Sequence, residues 1–291
     1  MHYIIMDLEW NNAYSKTSQK FVNEIIEIGA VKLDEKLNVA GTFSQLVKPV
    51  ISNKLRARIK DLTHITNDEI RAGKPFADVI EQLKNWAGKD CIFMTWGDTD
   101  IRTMLSNFKI FLNKNSIDFI EKYADLQKYC QCFIDMKDLS QAGLSYAAEC
   151  LNIDPEQFPH HRALDDSRLS AECFKKVFNS DILFEHTVLC DGDFYARLVF
   201  KPFYITDKND PLIDKGIFNC YCDMCGAKVT VVKDWKYGNQ SFRGDFYCEN
   251  CNREFRVALR IKKNYDYLDV KRRYFEKIRA KEQIQPEQED K

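Results

Sequence analysis

The sequence lacks any apolar run near the roughly 18 residues that a bilayer-spanning helix needs, which excludes a helical membrane span. It also lacks a basic stretch ahead of its first apolar residues. Met1-His2-Tyr3-Ile4-Ile5-Met6 meets Asp7 at once, so this start reads as a first strand rather than a signal peptide. Net charge is nearly absent, with 43 Lys and Arg against 44 Asp and Glu. No global basic field therefore announces a nucleic-acid partner, and any such surface must be local. No internal repeat is present. These absences point to a cytoplasmic protein with no membrane partner. What is present is ordinary globular material, 45% hydrophobic and 30% charged, in 291 residues. At about 150 residues per domain, that length suggests two domains. Eleven cysteines in a reducing compartment argue for metal binding or buried thiols over disulfides.

Along the chain, Tyr3–Glu9, Glu24–Leu33 and Thr42–Val50 read as three strands in close succession, an antiparallel meander. The period then changes. Thr66-Asn67-Asp68-Glu69 is a capping-box pattern. Phe76, Val79, Ile80, Leu83 and Trp86 recur at helical spacing. Cys91–Trp96 is a strand, followed by a helix through Ile101, Met104, Leu105, Phe108 and Leu112. A strand near Tyr123–Leu126 and helices over Leu144–Leu151 and Ala163–Phe178 follow. Strands first, then alternation, predict an α/β unit with a mixed sheet flanked by helices over residues 1–180. Residues 181–214 read as a linker with short strand-like pieces, Phe194–Phe203 among them. Residues 215–262 form a small cysteine-bearing module, and 263–291 a basic helical tail.

Three acidic groups stand out. Asp7-Leu8-Glu9 ends the first strand, where positions i and i+2 share a face. Two carboxylates held that close repel unless a cation holds them, and hard oxygen ligands suit Mg²⁺ or Mn²⁺. The plainer reading is two surface acids beside a turn. Asp98 and Asp100 lie between a strand and a helix, where ligands concentrate, although either could simply cap the helix. His161 precedes the last helix, and Asp166 follows it by five residues.

The combination of Asp7-x-Glu9, a central Asp and His161-x-Ala163-x-x-Asp166 resembles the DEDDh exonucleases, a family with a ribonuclease-H-like fold. The resemblance covers residues 1–180. Glu27-Ile28-Gly29-Ala30-Val31 and Leu62-Thr63-His64-Ile65-Thr66 support it. Trp96-Gly97-x-x-Asp100 is similar to the subgroup of histone-mRNA and KapD-like exonucleases. The resemblance implies 3′–5′ exonuclease chemistry with two Mg²⁺ or Mn²⁺ ions held by Asp7, Glu9, Asp100 and Asp166, with His161 as general base. It places Asp100 above Asp98, because the family aspartate heads its helix and precedes an apolar residue. Two ions clamp the attacking and leaving oxygens of an in-line displacement, and an imidazole exchanges protons near neutral pH. Trp10 could stack on a terminal base or serve as a rim aromatic.

Cys222-x-x-Cys225-Gly226 and Cys248-x-x-Cys251, with 22 residues between the pairs, fit one closed structural Zn²⁺ site of the zinc-ribbon kind. A redox pair or chance clustering is the alternative, and Cys220 is a spare. Lys, Arg and aromatic residues interleave from Lys228 to Phe275, which suits either a single-strand groove or a solvated face. The reading that unites these features is trimming of single-stranded 3′ ends, with RNA favoured over DNA. A DNA proofreading enzyme and a non-catalytic zinc-ribbon binder are the alternatives.

Overall fold

The computed structural model describes residues 1–17, 19–137, 139–158 and 161–276. The chain divides into two compact units, Met1–Val199 and Phe200–Lys291.

The first unit carries strands β1 (His2–Ser15), β2 (Lys20–Leu33) and β3 (Val39–Leu46). Three helices follow: α1 (Ala57–Thr63), α2 (Asn67–Ala72) and α3 (Phe76–Ala87). Then come β4 (Cys91–Thr95), α4 (Thr99–Leu112), β5 (Lys122–Asp125), α5 (Leu126–Gln131) and α6 (Leu144–Cys150). The unit closes with α7 (Ala163–Lys176), α8 (Ser180–His186), β6 (Thr187–Leu189) and α9 (Gly192–Val199). The sheet order is β3-β2-β1-β4-β5-β6. The β1–β2–β3 meander is antiparallel, β4 and β5 join in parallel, and β6 returns antiparallel. The expected mixed sheet flanked by helices is the observed architecture.

Alternation along β1 sorts the core into two layers. Ile4, Met6 and Leu8 pack with Val79, Leu83, Met104 and Phe108 from α3 and α4. Tyr3 and Ile5 face the other way, onto Tyr129 of α5 and Leu169 and Phe174 of α7. Both faces are covered, so the middle strands read as continuous apolar runs. The fully buried Phe174 packs on Tyr3 at 5.3 Å between ring centres, and burying a side chain of this size contributes about 2 kcal/mol. Thr66 and Glu69 form the expected capping box at the start of α2.

The second unit is a sheet of order β11-β10-β9-β8, with β7 (Phe203–Tyr204) on β10. Its strands are β8 (Thr230–Gly238), β9 (Ser241–Cys248), β10 (Arg253–Lys263) and β11 (Leu268–Glu276). Phe246, Phe255 and Val257 centre one apolar cluster, while Phe242, Leu259 and Ile261 centre another.

Three expectations are corrected. Residues 181–199 are not a linker: β6 pairs with β5, and the Tyr195 hydroxyl donates to the Ile117 carbonyl at 3.0 Å. The strand-like piece Phe194–Phe203 is mostly helix, because Tyr195 and Leu198, three apart, face the core, and the Asp191 carboxylate accepts the Phe194 N–H. The expected helix over 263–291 is instead strand β11 where it is described. Nine residues pair with β10, which satisfies the backbone, and Tyr274 packs on Phe255. Residues 277–291 lie outside the described residues.

Candidate active site

The pleat of β1 places Asp7 and Glu9 on the face that carries Tyr3 and Ile5, the face covered by α7. Asp166, in the first turn of α7, meets them there. Carboxylate oxygens of Asp7, Glu9 and Asp166 all lie within 4.8 Å of one another. Three carboxylates at that separation are a hard oxygen donor set suited to a divalent cation.

Asp100 approaches from the opposite layer. Strand β4 pairs with β1 only as far as Ile5↔Met94, so Leu8 lies past the ladder and its N–H donates to the Asp100 carboxylate. Asp98 behaves differently. It is N-cap of α4 with no side-chain cap bond, its side chain is 41% exposed, and it pairs with Arg102 at 2.8 Å. Asp100 is 5% exposed.

Electrostatics follow from this crowding. Burial pushes Asp7 well above the usual carboxylate range, and the charges of Asp100, Asp166 and Glu9 add to it. Burial raises Glu9 to about 8, helped by Asp166 and Glu27. Burial likewise raises Asp100 to about 7, against the lowering pull of the Leu8 N–H. Groups so perturbed cluster at functional sites.

His161 is exposed, in a bend just before α7, with left-handed backbone (φ 63°). Trp10 is half-buried and packs on the cluster containing Leu8 and Ile25, just past a bulge in the β1–β2 ladder at Glu9/Trp10.

Two residues that position the site were not singled out as such by sequence reasoning. Glu27 of β2, 1% exposed, accepts from Arg162 Nη2 at 2.7 Å and Nε at 3.0 Å, and from the Ala163 backbone N–H at 3.2 Å. It thereby fixes the start of α7 between His161 and Asp166. Gly29 lets α7 lie directly on β2: a Cβ there would overlap the backbone of Ala163 and Leu164. The Ser167 hydroxyl donates to the Gly29 carbonyl at 3.1 Å. The only sequence signals were an acid two residues before a glycine in a strand, and an Arg beside the histidine.

The exonuclease family profile matches residues 4–174, more than half of the chain, and spans the four carboxylates and the histidine. The chain belongs to the exonuclease family. It is similar to the probable 3′–5′ exonuclease KapD of Bacillus subtilis (strain 168), 33% identical over 177 residues, which are 60% of this chain and 83% of that protein. The 3′–5′ exoribonuclease 1 of Rattus norvegicus is 30% identical over 159 residues, 51% of this chain and 45% of that protein. Among solved structures, the nuclease domain of 3′hExo, a DEDDh family member bound to rAMP, aligns with TM-score 0.50 and 26% identity. That alignment covers 59% of this chain and 88% of the other. As a DEDDh exonuclease, the chain is a phosphodiester hydrolase whose family chemistry uses divalent metal ions.

A second metal-type cluster lies in the other unit. The sulfurs of Cys222, Cys225, Cys248 and Cys251 all lie within 4.8 Å. Cys222 and Cys251 are 3.8 Å apart, and Cys225 and Cys248 are 3.5 Å apart. A tetrahedron with Zn–S bonds of about 2.3 Å has edges near 3.8 Å, so the set fits zinc. Gly226, at φ 72°, turns the chain so that its N–H reaches the Cys222 carbonyl at 2.9 Å. Cys220 is buried nearby but is not one of the four. Among the described residues, no helix is long and apolar enough to cross a membrane.

Proposed function

We propose that this exonuclease shortens single-stranded nucleic acid from its 3′ end, RNA in preference to DNA, releasing nucleoside 5′-monophosphates. The convergence of Asp7, Glu9 and Asp166 from one strand and one helix, with Asp100 beside them, carries the reading. Asp7, Glu9, Asp100 and Asp166 would hold two Mg²⁺ or Mn²⁺ ions. When bound, such ions supply charge neutralisation at the phosphate and an acidified water. Asp7, whose carboxylate feels the charges of Asp100, Asp166 and Glu9, would serve both ions. His161, exposed at the edge of the cluster's helix, takes the proton of the attacking water at a ring nitrogen. Glu27 and Arg162 hold that histidine and Asp166 in register. The open part of the Trp10 ring offers a stacking surface to the terminal base. Cys222, Cys225, Cys248 and Cys251 would bind one structural Zn²⁺ with no open position for catalysis.

The preference for RNA draws on relatives named for action on RNA, and on the rAMP bound to the 3′hExo domain. The test is divalent-metal-dependent release of mononucleotides from matched 5′-labelled RNA and DNA single strands. A ladder shortening from the 3′ end, faster on RNA and absent in Asp7→Asn, is expected. Faster digestion of DNA would shift the reading to proofreading or repair. No release with any divalent metal would leave only a nucleic-acid-binding scaffold.

A further inference from the structure

The near-zero total charge conceals an asymmetry. Residues 1–199 hold 24 Lys and Arg against 29 Asp and Glu, whereas residues 200–291 hold 19 against 15. In the second unit the excess is concentrated on one face of the sheet. Phe255, Val257, Leu259 and Ile261 of β10 point into the core, so Arg256, Arg260 and Lys262 point out. The register extends that outer face across the sheet. Lys236 of β8 lies opposite Arg243 of β9, Arg243 opposite Ala258 of β10, and Ala258 opposite Arg273 of β11. One row thus crosses four strands with three cations and no acid. In the next row Arg260 lies opposite Lys271.

Like charges placed directly opposite across strands destabilise a sheet. Here Lys236↔Arg243 and Arg260↔Lys271 are both of that kind. The acids nearby do not cancel them. Asp245 is engaged by Arg256 at 2.7 Å, and Asp269 approaches Lys271 at 3.5 Å. Among the described residues, Lys236, Arg243, Arg260, Lys262 and Arg273 enter no ion pair with an acid. Flat rings share the face. Arg260 and Lys262 sit 5.5 and 6.0 Å from the centre of the Tyr204 ring, and Phe275, opposite Arg256, is 48% exposed.

A repulsive cationic row on a twisted sheet with aromatics beside it is the composition that tracks a polyanionic strand and stacks its bases. We propose that this outer face of the second unit binds the phosphodiester backbone of single-stranded nucleic acid, at a site distinct from the acidic cluster. Binding there needs neither hydrolysis nor the catalytic metals, so it stands or falls separately from the function proposed above.

The experiment measures anisotropy of labelled oligo(U) and oligo(dT) of about 20 nucleotides, longer than the roughly 4–16 that single-strand sites cover. The full-length Asp7→Asn protein is used without chelator, so that substrate survives and the cysteine cluster is undisturbed. Each phosphate contact adds about 0.7 to the slope of log affinity against log salt for a single strand. The triple variant Arg243→Gln/Arg260→Gln/Arg273→Gln should therefore bind at least tenfold more weakly at low salt, with a slope shallower by about 2. Because it removes like-charge pairs, it should melt no lower than its parent. The matching triple Arg→Lys variant should keep the slope. An unchanged slope in the Gln variant overturns the proposal. So does a face whose charges govern binding to vesicles rich in phosphatidylserine while the oligonucleotides go unbound. Intact binding by the Asp7→Asn protein, together with a parent protein that releases no nucleotide with any divalent metal, would refute the exonuclease function and leave this one standing.

Discussion

Arg162 reaches across 135 residues of sequence to grip both carboxylate oxygens of Glu27, and the same carboxylate accepts the N–H that opens α7. The pair is asymmetric: Glu27 is 1% exposed and Arg162 is 36% exposed. Removing the arginine strands a buried charge, which costs about 3 kcal/mol. Arg162→Met should lower the melting temperature by roughly 6–12 °C and reduce kcat by mis-setting His161 and Asp166. Arg162→Lys should recover only part of both, since one ammonium cannot span two oxygens. Calorimetry and nucleotide-release rates measured together check this.

The two aspartates at the head of α4 should separate cleanly. Asp100→Asn removes a buried carboxylate that adjoins the cluster, and should lower kcat by about a hundredfold or more. Asp98→Asn removes a solvent-facing partner of Arg102, and should stay within about threefold of the parent. Equal losses would place both in the site.

Stability should respond to pH in an unusual direction. Glu9 and Asp100 have folded values raised to about 8 and about 7, above 4.5 and 3.8 for the ordinary groups. Through these two groups the metal-free folded state holds more protons than the unfolded chain between about pH 4 and 8. Their contribution to stability falls as pH rises through that window. The metal-free protein should melt higher at pH 5.5 than at pH 8, and Mg²⁺ or Mn²⁺ should restore more at pH 8. Asp7→Asn should flatten the dependence. A melting temperature that rises with pH in the metal-free parent would contradict it.

Elemental analysis of the purified chain should find about one zinc per molecule, and Cys248→Ser should lose it. The loss should expose the second unit to proteolysis between β8 and β10 while the first unit survives. A fully zinc-loaded serine variant would count against the four-cysteine site.

Legibility followed the range of the interactions. Asp7 and Glu9 were readable because a strand's two-residue period fixes their common face. The capping box at Thr66 was readable because it is closed within four residues. The two cysteine pairs were readable because a knuckle needs only local spacing. Glu27–Arg162 was not, since each partner is an unremarkable charge until the fold joins them. The polar, basic composition of strand β11 fits a solvated helix as well, and only the bonds offered by β10 decide between them. Residues 181–199 resemble a linker in sequence, because Tyr195 and Leu198 offer too few apolar positions to declare a helix before the core they cover is known.

Gly29 has a further bearing on how this enzyme would be mapped. No side chain fits between β2 and α7 there, so even alanine would push apart the strand and helix that deliver Glu27 and Asp166. A saturation screen scored by nucleotide release would rank position 29 beside Asp7 and His161, although glycine has no group with which to act. Intolerance at that position would record a spacing, and an activity screen alone would misfile it as chemistry.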